Sequence, residues 1–201
     1  MFRATGNVNT HKGLIFSLAI MNCSLGYLYA RSVPYSAAAL LDINRKLVQD
    51  VIEDFKTVTL ESARTNGQRL YALYGLKGAR GEALSGYATV LKTALPRLKE
   101  YMDKGLGLND AGVLTLLSII AYCGDTNMVN RSSFQRMKEI QADIRRRLET
   151  PGQTDRELLA YALELDQSFI KENLSPGGSA DLLALTYFIY LYENRLPTEH
   201  A

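Results

Sequence analysis

The chain has 201 residues, of which 47% are hydrophobic and 22% charged, with a formal net charge of +2 at pH 7. This is an ordinary globular composition, long enough to bury a real core, and it excludes a disordered or collagen-like chain. The near-neutral balance excludes a nucleic-acid surface built on bulk charge.

In chain order, the first feature is the polar stretch Val8-Asn9-Thr10-His11-Lys12-Gly13. Thr10 suits the N-cap of the helix that follows, whose first backbone N–H groups would be available to an anion. His11 and Lys12 add a titratable group and a fixed positive charge at the same place. Leu14, Leu18, Met21, Leu25 and Leu28 then form one helical stripe. Basic residues ahead of Leu14 and a Leu28-Tyr29-Ala30 end give the outline of a secretory leader. Ser17, Asn22, Ser24 and Gly26 break the apolar run, so it reads as a poor membrane span, and the expected location is cytoplasmic with no membrane partner.

A second stripe runs through Leu40, Ile43, Leu47, Val51 and Phe55, with charges on the opposite face. Thr65-Asn66 opens a short helix to Tyr74, stopped by Gly75. Pro96 must kink or restart a helix over Val90–Tyr101. Asn109 caps an almost wholly apolar helix over Ala111–Cys123, the central buried one. Ser133–Leu148 is amphipathic, and its Arg145-Arg146-Arg147 run reads as a solvated face. Asp155 begins a helix to about Asn173, and Ser179–Tyr192 is the last. No period-two segment is bounded by hairpin signals. The expected fold is all-α, one globular domain over 1–201 with roughly seven to nine helices at about a dozen residues each. Cys23 and Cys123 lie in apolar stretches without a C-x-x-C partner, so both are expected to be free, buried thiols.

Three further inserts between helices carry chemistry. Gly75-Leu76-Lys77-Gly78-Ala79-Arg80-Gly81-Glu82 sets three glycines around two cations and a carboxylate. Glycine permits close backbone approach to an anion, and Arg80 can grip a phosphate in two places. The same residues also read as a helix stop and a tight turn with surface charges. Gly124-Asp125-Thr126-Asn127, with Arg131 beyond it, offers hard oxygen ligands suited to Mg²⁺ with a phosphate substrate. Asp125 reads equally as an N-cap. Ser175-Pro176-Gly177-Gly178-Ser179-Ala180-Asp181 turns the chain into the last helix, with Ser179 as its cap and Asp181 in its first turn. Asp181 stabilises that turn by itself, yet it also stands at the rim of an apolar wall, where a carboxylate can hold a metal or act as a base. Four such inserts can converge on one pocket, and their common chemistry is a Mg²⁺–polyphosphate site.

Taken together, Thr5–Gly13, Gly75–Ala83, Asp125-Thr126-Asn127 with Arg131, and Leu174–Ala184 resemble the triphosphoribosyl-dephospho-coenzyme A synthases that serve citrate lyase and malonate decarboxylase. The order and type of motif match over nearly the whole chain. Asn7 stands where the family favours glycine, and Ser132 stands where glycine usually follows the arginine. The family usually has a further N-terminal helical segment, so this chain reads as its larger, C-terminal part. The resemblance implies an all-α transferase that joins the 5-triphosphoribosyl part of ATP to the 2′-hydroxyl of 3′-dephospho-coenzyme A and releases adenine. It implies Lys12, Lys77 and Arg80 on the phosphates, with Arg131, Asn9, Thr10, Ser175 and Ser179 as further substrate contacts. Asp125 and Asp181, with Asn127, are the implied Mg²⁺ ligands, and Glu82 or His11 the general base. ATP and 3′-dephospho-coenzyme A are the implied partners, with no nucleic acid. Two alternatives stand beside this reading. One is a Mg²⁺-dependent ADP-ribosyl-type glycohydrolase, which the Asp125-Thr126-Asn127 insert loosely resembles. The other is an inactive helical fragment that serves interaction or assembly, a reading that exposed apolar surface or pairing of two chains as a homodimer would favour.

Overall fold

The computed structural model describes residue 3, residues 11–49 and residues 58–195. Among these the protein is all-α, with ten α-helices where composition suggested seven to nine. The excess lies in the inserts. Two short helices, α4 (Gly78–Leu84) and α7 (Thr126–Arg131), sit where glycine and polar residues signalled turns. The other helices are α1 (Lys12–Ala30), α2 (Ala37–Val48), α3 (Asn66–Tyr74), α5 (Leu95–Asp103), α6 (Leu108–Tyr122), α8 (Phe134–Leu148), α9 (Asp155–Lys171) and α10 (Gly177–Arg195). The second stripe's Val51 and Phe55 lie outside the described residues.

Several boundaries follow side-chain chemistry. Thr65 caps α3 by accepting from the Gln68 N–H, and Gly75 stops it at φ 70°. Ser133 caps α8, and Thr154 with Glu157 forms a reciprocal capping box on α9. Pro96 is absorbed by a π-helical turn, Thr89–Ala94, after which α5 restarts with the proline in its first turn. There its missing N–H leaves no bond unmade.

Three expected caps are displaced. α1 starts at Lys12 with His11 in the N-cap position and no side-chain cap, and Thr10 lies outside the described residues. α6 starts at Leu108 after Gly107, so Asn109 falls inside the first turn. α10 starts at Gly177, with the Ala180 N–H bonded to the Pro176 carbonyl, so Ser179 is a first-turn residue.

The helices enclose two apolar cores. One gathers Met21, Leu25, Leu40, Val90 and Leu185 from α1, α2, the π-turn and α10. The other gathers Leu98, Leu114, Met137, Ile144 and Phe169 from α5, α6, α8 and α9. Helices α6 and α10 belong to both and form the wall between them. They run antiparallel: the Tyr187 hydroxyl donates to the Leu108 carbonyl at one end, and Ser179 meets Asp125 at the other.

The buried C-terminus of α6 needs partners for its last carbonyls. Gln141 donates to Ile120 and Cys123, and Arg145 donates to Ala121. One arginine of the basic run is therefore a helix-end clamp, whereas Arg146 pairs with Asp143 at the surface. Cys123 is buried as expected, but Cys23 is exposed, because α1 turns that face outward. α1 is long and apolar enough to cross a membrane by length and composition alone. Two of the polar residues that interrupt it, Ser17 and Ser24, point inward, and Ser24 donates to Asn44 at 2.6 Å.

Candidate active site

The starts of α4, α7 and α10 and the first turns of α1 come together where the two cores meet. Between them lies a cavity of about 30 Å³, lined by Ser17 of α1, Glu82 of α4, Cys123 and Thr126 at the α6–α7 junction, and Asp181 of α10. Such a space admits about one water-sized molecule, so a nucleotide must bind beside it. Three of the four polar inserts thus converge, and α1 brings the end of the remaining one, with Gly13 against Asp181.

Asp125 holds this junction together. It is 2% exposed and accepts four hydrogen bonds. Its Oδ1 takes the N–H groups of Asn127 and Met128 at 2.9 and 3.1 Å, capping α7. Its Oδ2 takes the N–H and hydroxyl of Ser179 at 2.8 and 2.9 Å, tying α7 to the first turn of α10. A carboxylate offers about four lone-pair positions, and all are engaged. Gly178 eases the approach, since a Cβ there would stand a tight 3.1 Å from Oδ1. In this arrangement Asp125 is a cap and a pin, its lone pairs taken by backbone and serine donors. Ser179 is fully buried with both donors on Asp125.

The other two carboxylates face the cavity. Glu82 accepts from the Thr89 hydroxyl at 2.7 Å through Oε1, while its Oε2 is buried and has no hydrogen-bond partner among the described residues. Burial raises its pKa above the usual carboxylate range, and the Thr89 bonds only partly oppose this. Asp181 is pushed up to about 6, first by burial and then by the negative charge of Asp125, with His11 acting in the opposite sense. Gly13 gives Asp181 room: a Cβ at position 13 would stand 2.7 Å from its Oδ2. Cys123, behind them, is raised well above an ordinary thiol by burial, then by Glu82 and Asp125. It is therefore a packed thiol and not a nucleophile.

Among the described residues no group of three or more His, Cys, Asp or Glu could hold a metal by protein ligands alone. The carboxylate that can hold a divalent ion at this cavity is Asp181, its shell to be completed by phosphate oxygens. Asn127 is exposed at the start of α7.

Of the cations, Lys12, Lys77 and Arg80 are exposed on the α1 and α4 side, Lys77 lying over the Tyr71 ring at 5.8 Å. Arg131 points elsewhere and donates to Asn173 Oδ1 at 3.2 Å, bracing the α9–α10 turn. Ser175 lines a separate apolar groove. Asn9 lies outside the described residues. Ser17 and Thr89 are site residues that sequence reasoning missed. Ser17 reads as a break in an apolar stripe, and nothing local marks Thr89 as the partner of Glu82 seven residues before it.

Asp181 gives a signed pH dependence. Its folded pKa lies above its ordinary value of 3.8, so the neutral form stabilises the fold. That stability is full below about pH 4 and is lost as pH rises through about 6. Asp181→Asn should flatten the fall in unfolding temperature between these pH values and leave the variant more stable than the parent at pH 7. An unchanged slope by calorimetry would place the carboxyl in water.

Residues 1–200 match the family described as ATP:dephospho-CoA triphosphoribosyl transferase. The 2-(5''-triphosphoribosyl)-3'-dephosphocoenzyme-A synthase of Pectobacterium atrosepticum is 40% identical over 199 residues, 99% of this chain and 63% of that protein. A probable synthase of the same name from Pectobacterium carotovorum subsp. carotovorum is 39% identical over 192 residues, 96% of this chain and 62% of that protein. The chain therefore spans a little under two thirds of the length of these relatives. No solved structure matches.

Proposed function

The chain belongs to the ATP:dephospho-CoA triphosphoribosyl transferase family, and on that premise we propose that it moves the 5-triphosphoribosyl group of ATP to the 2′-hydroxyl of 3′-dephospho-coenzyme A, releasing adenine. The observation that carries this reading is the meeting of α1, α4, α7 and α10 around Glu82 and Asp181, with Lys12, Lys77 and Arg80 exposed at the starts of α1 and α4.

In the reaction the bond from the ribose anomeric carbon to adenine breaks and a bond to the acceptor oxygen forms. Positive character develops on the sugar, as in glycoside chemistry. Lys12, Lys77 and Arg80 bind the triphosphate, which remains intact, and the positive ends of the long helices α1 and α10 favour the same charge. Magnesium enters with ATP as part of the substrate. Asp181 would hold it, and it would neutralise phosphate charge. Glu82 takes the proton of the acceptor hydroxyl at Oε2. Its burial keeps it basic enough for the task, and Thr89 fixes its orientation. The leaving adenine carries away a proton in turn, so protons balance.

The test is adenine release from ATP with Mg²⁺, with and without 3′-dephospho-coenzyme A, and mass analysis of the acceptor. Release only with the acceptor, and a triphosphoribosyl mass gain on it, is the expected result. Release without it would make the protein a hydrolase. Arg80→Ala should raise the KM for ATP about tenfold or more, the usual cost of a lost charged hydrogen bond. An unchanged KM would remove Arg80 from the phosphate site.

A further inference from the structure

We propose that the groove between α6 and α9 receives the neutral amide-and-alkyl arm of the coenzyme acceptor, a pantetheine chain. This inference rests on the acceptor proposed above.

The groove has a volume of about 510 Å³, within the range of small-molecule sites. Val113 and Leu117 of α6 and Leu159, Ala162 and Phe169 of α9 form its walls. It follows α6 from Asn109 to Ile120, which at about 1.5 Å per residue is a slot about 16 Å long. That shape suits an extended chain better than a flat ring system.

Charge decides which part of the acceptor can lie there. The lining contains Asp110 and Asp166 and no lysine or arginine. Two carboxylates repel phosphate but accept from amide N–H and hydroxyl groups, and the apolar walls suit methyl and methylene groups. A neutral arm with amides meets both conditions. The phosphate-bearing end of the same molecule belongs with Lys12, Lys77 and Arg80 on the α1 and α4 side.

The two regions are joined by one short strap. Ser175 and Pro176 close one end of the groove, and Gly178 and Asp181, a turn further on, line the polar cavity. A nucleotide at the polar site can therefore lay its arm across residues 175–178 and into the slot. Leu163 and Ile170, 68% and 71% exposed, border the groove and would be covered by such a chain.

Methyl NMR of the full chain with millimolar pantetheine tests the proposal without catalysis. Shifts confined to the methyls that line the groove, among them Val113, Leu117, Leu159, Leu163 and Ile170, are expected. Ala162→Trp should abolish them and raise the KM for 3′-dephospho-coenzyme A at least tenfold, with the KM for ATP within twofold of the parent. Val113→Phe, a smaller intrusion, should act in the same direction if the tryptophan variant does not fold. Pantetheine shifts that are absent or lie elsewhere would overturn the groove assignment, even with full transferase activity. Groove shifts without any triphosphoribosyl transfer would leave the arm site standing and overturn the proposed reaction instead.

Discussion

Replacing Asp125 with alanine should lower the unfolding free energy by about 3–5 kcal/mol, summing a lost helix cap and buried donors left without an acceptor. The Ser179 N–H and hydroxyl have no access to water, so they bear most of this cost. At the start of α7 the exposed Asn127 is better placed to find solvent, whereas Met128 is fully buried. Against a typical stability of about 5–15 kcal/mol, the change is large. Urea unfolding should show a lower midpoint with an unchanged slope. Asp125→Asn should lie between alanine and the parent, because its NH₂ must face either the α7 pair, where only backbone donors await it, or the Ser179 pair, where the hydroxyl alone can turn to accept it. A loss of stability under 1 kcal/mol together with abolished turnover would return Asp125 to the role of metal ligand.

Glu82→Gln should reduce turnover by about 10²–10⁴-fold, the usual contribution of a positioned general base. Stability should not fall. Glutamine can keep the Thr89 bond and removes a carboxylate whose second oxygen is buried without a partner. The rate profile should respond too: the acid limb of kcat/KM in the parent should lie above the ordinary carboxylate range, because burial raises Glu82. It should vanish in the variant. His11→Ala, at the exposed start of α1, should cost less than tenfold. The reverse pattern, with glutamine tolerated at 82 and alanine not tolerated at 11, would transfer the base to His11.

Much of the fold was legible because helix ends are written locally. Thr65 and Gly75 act where the sequence pattern puts them, and Ser133 and Thr154 cap helices whose starts were legible at Ser133 and Asp155, since each bonds within four residues of itself. Ser179 failed as an expected cap for the opposite reason. Its side chain answers to Asp125, 54 residues away, and the helix begins two residues earlier on the Pro176 carbonyl. Helices α4 and α7 were hidden because six or seven residues rich in glycine or polar groups carry no apolar period. The candidate site divides in the same way. That Asp125 could cap a helix was readable from its neighbours, but that Ser179 would occupy its other oxygen was not. Arg131 kept its charge but spends it on Asn173, which only the packing of α7 against the α9–α10 turn could reveal.

The Asp125–Ser179 pin also has a history within each molecule's lifetime. When Asp125 leaves the ribosome, the donors that complete it are 54 residues behind. At the usual synthesis rate of about 5–20 residues per second, this is a delay of roughly 3–11 s. During that interval the faces of α1 and α6 that α10 will cover are open, and the nascent chain is a client for whatever shields apolar surface in the cell. Docking of α10 covers those faces and closes the candidate site in the same step, so the proposed chemistry is open only to a chain whose two cores are already shielded.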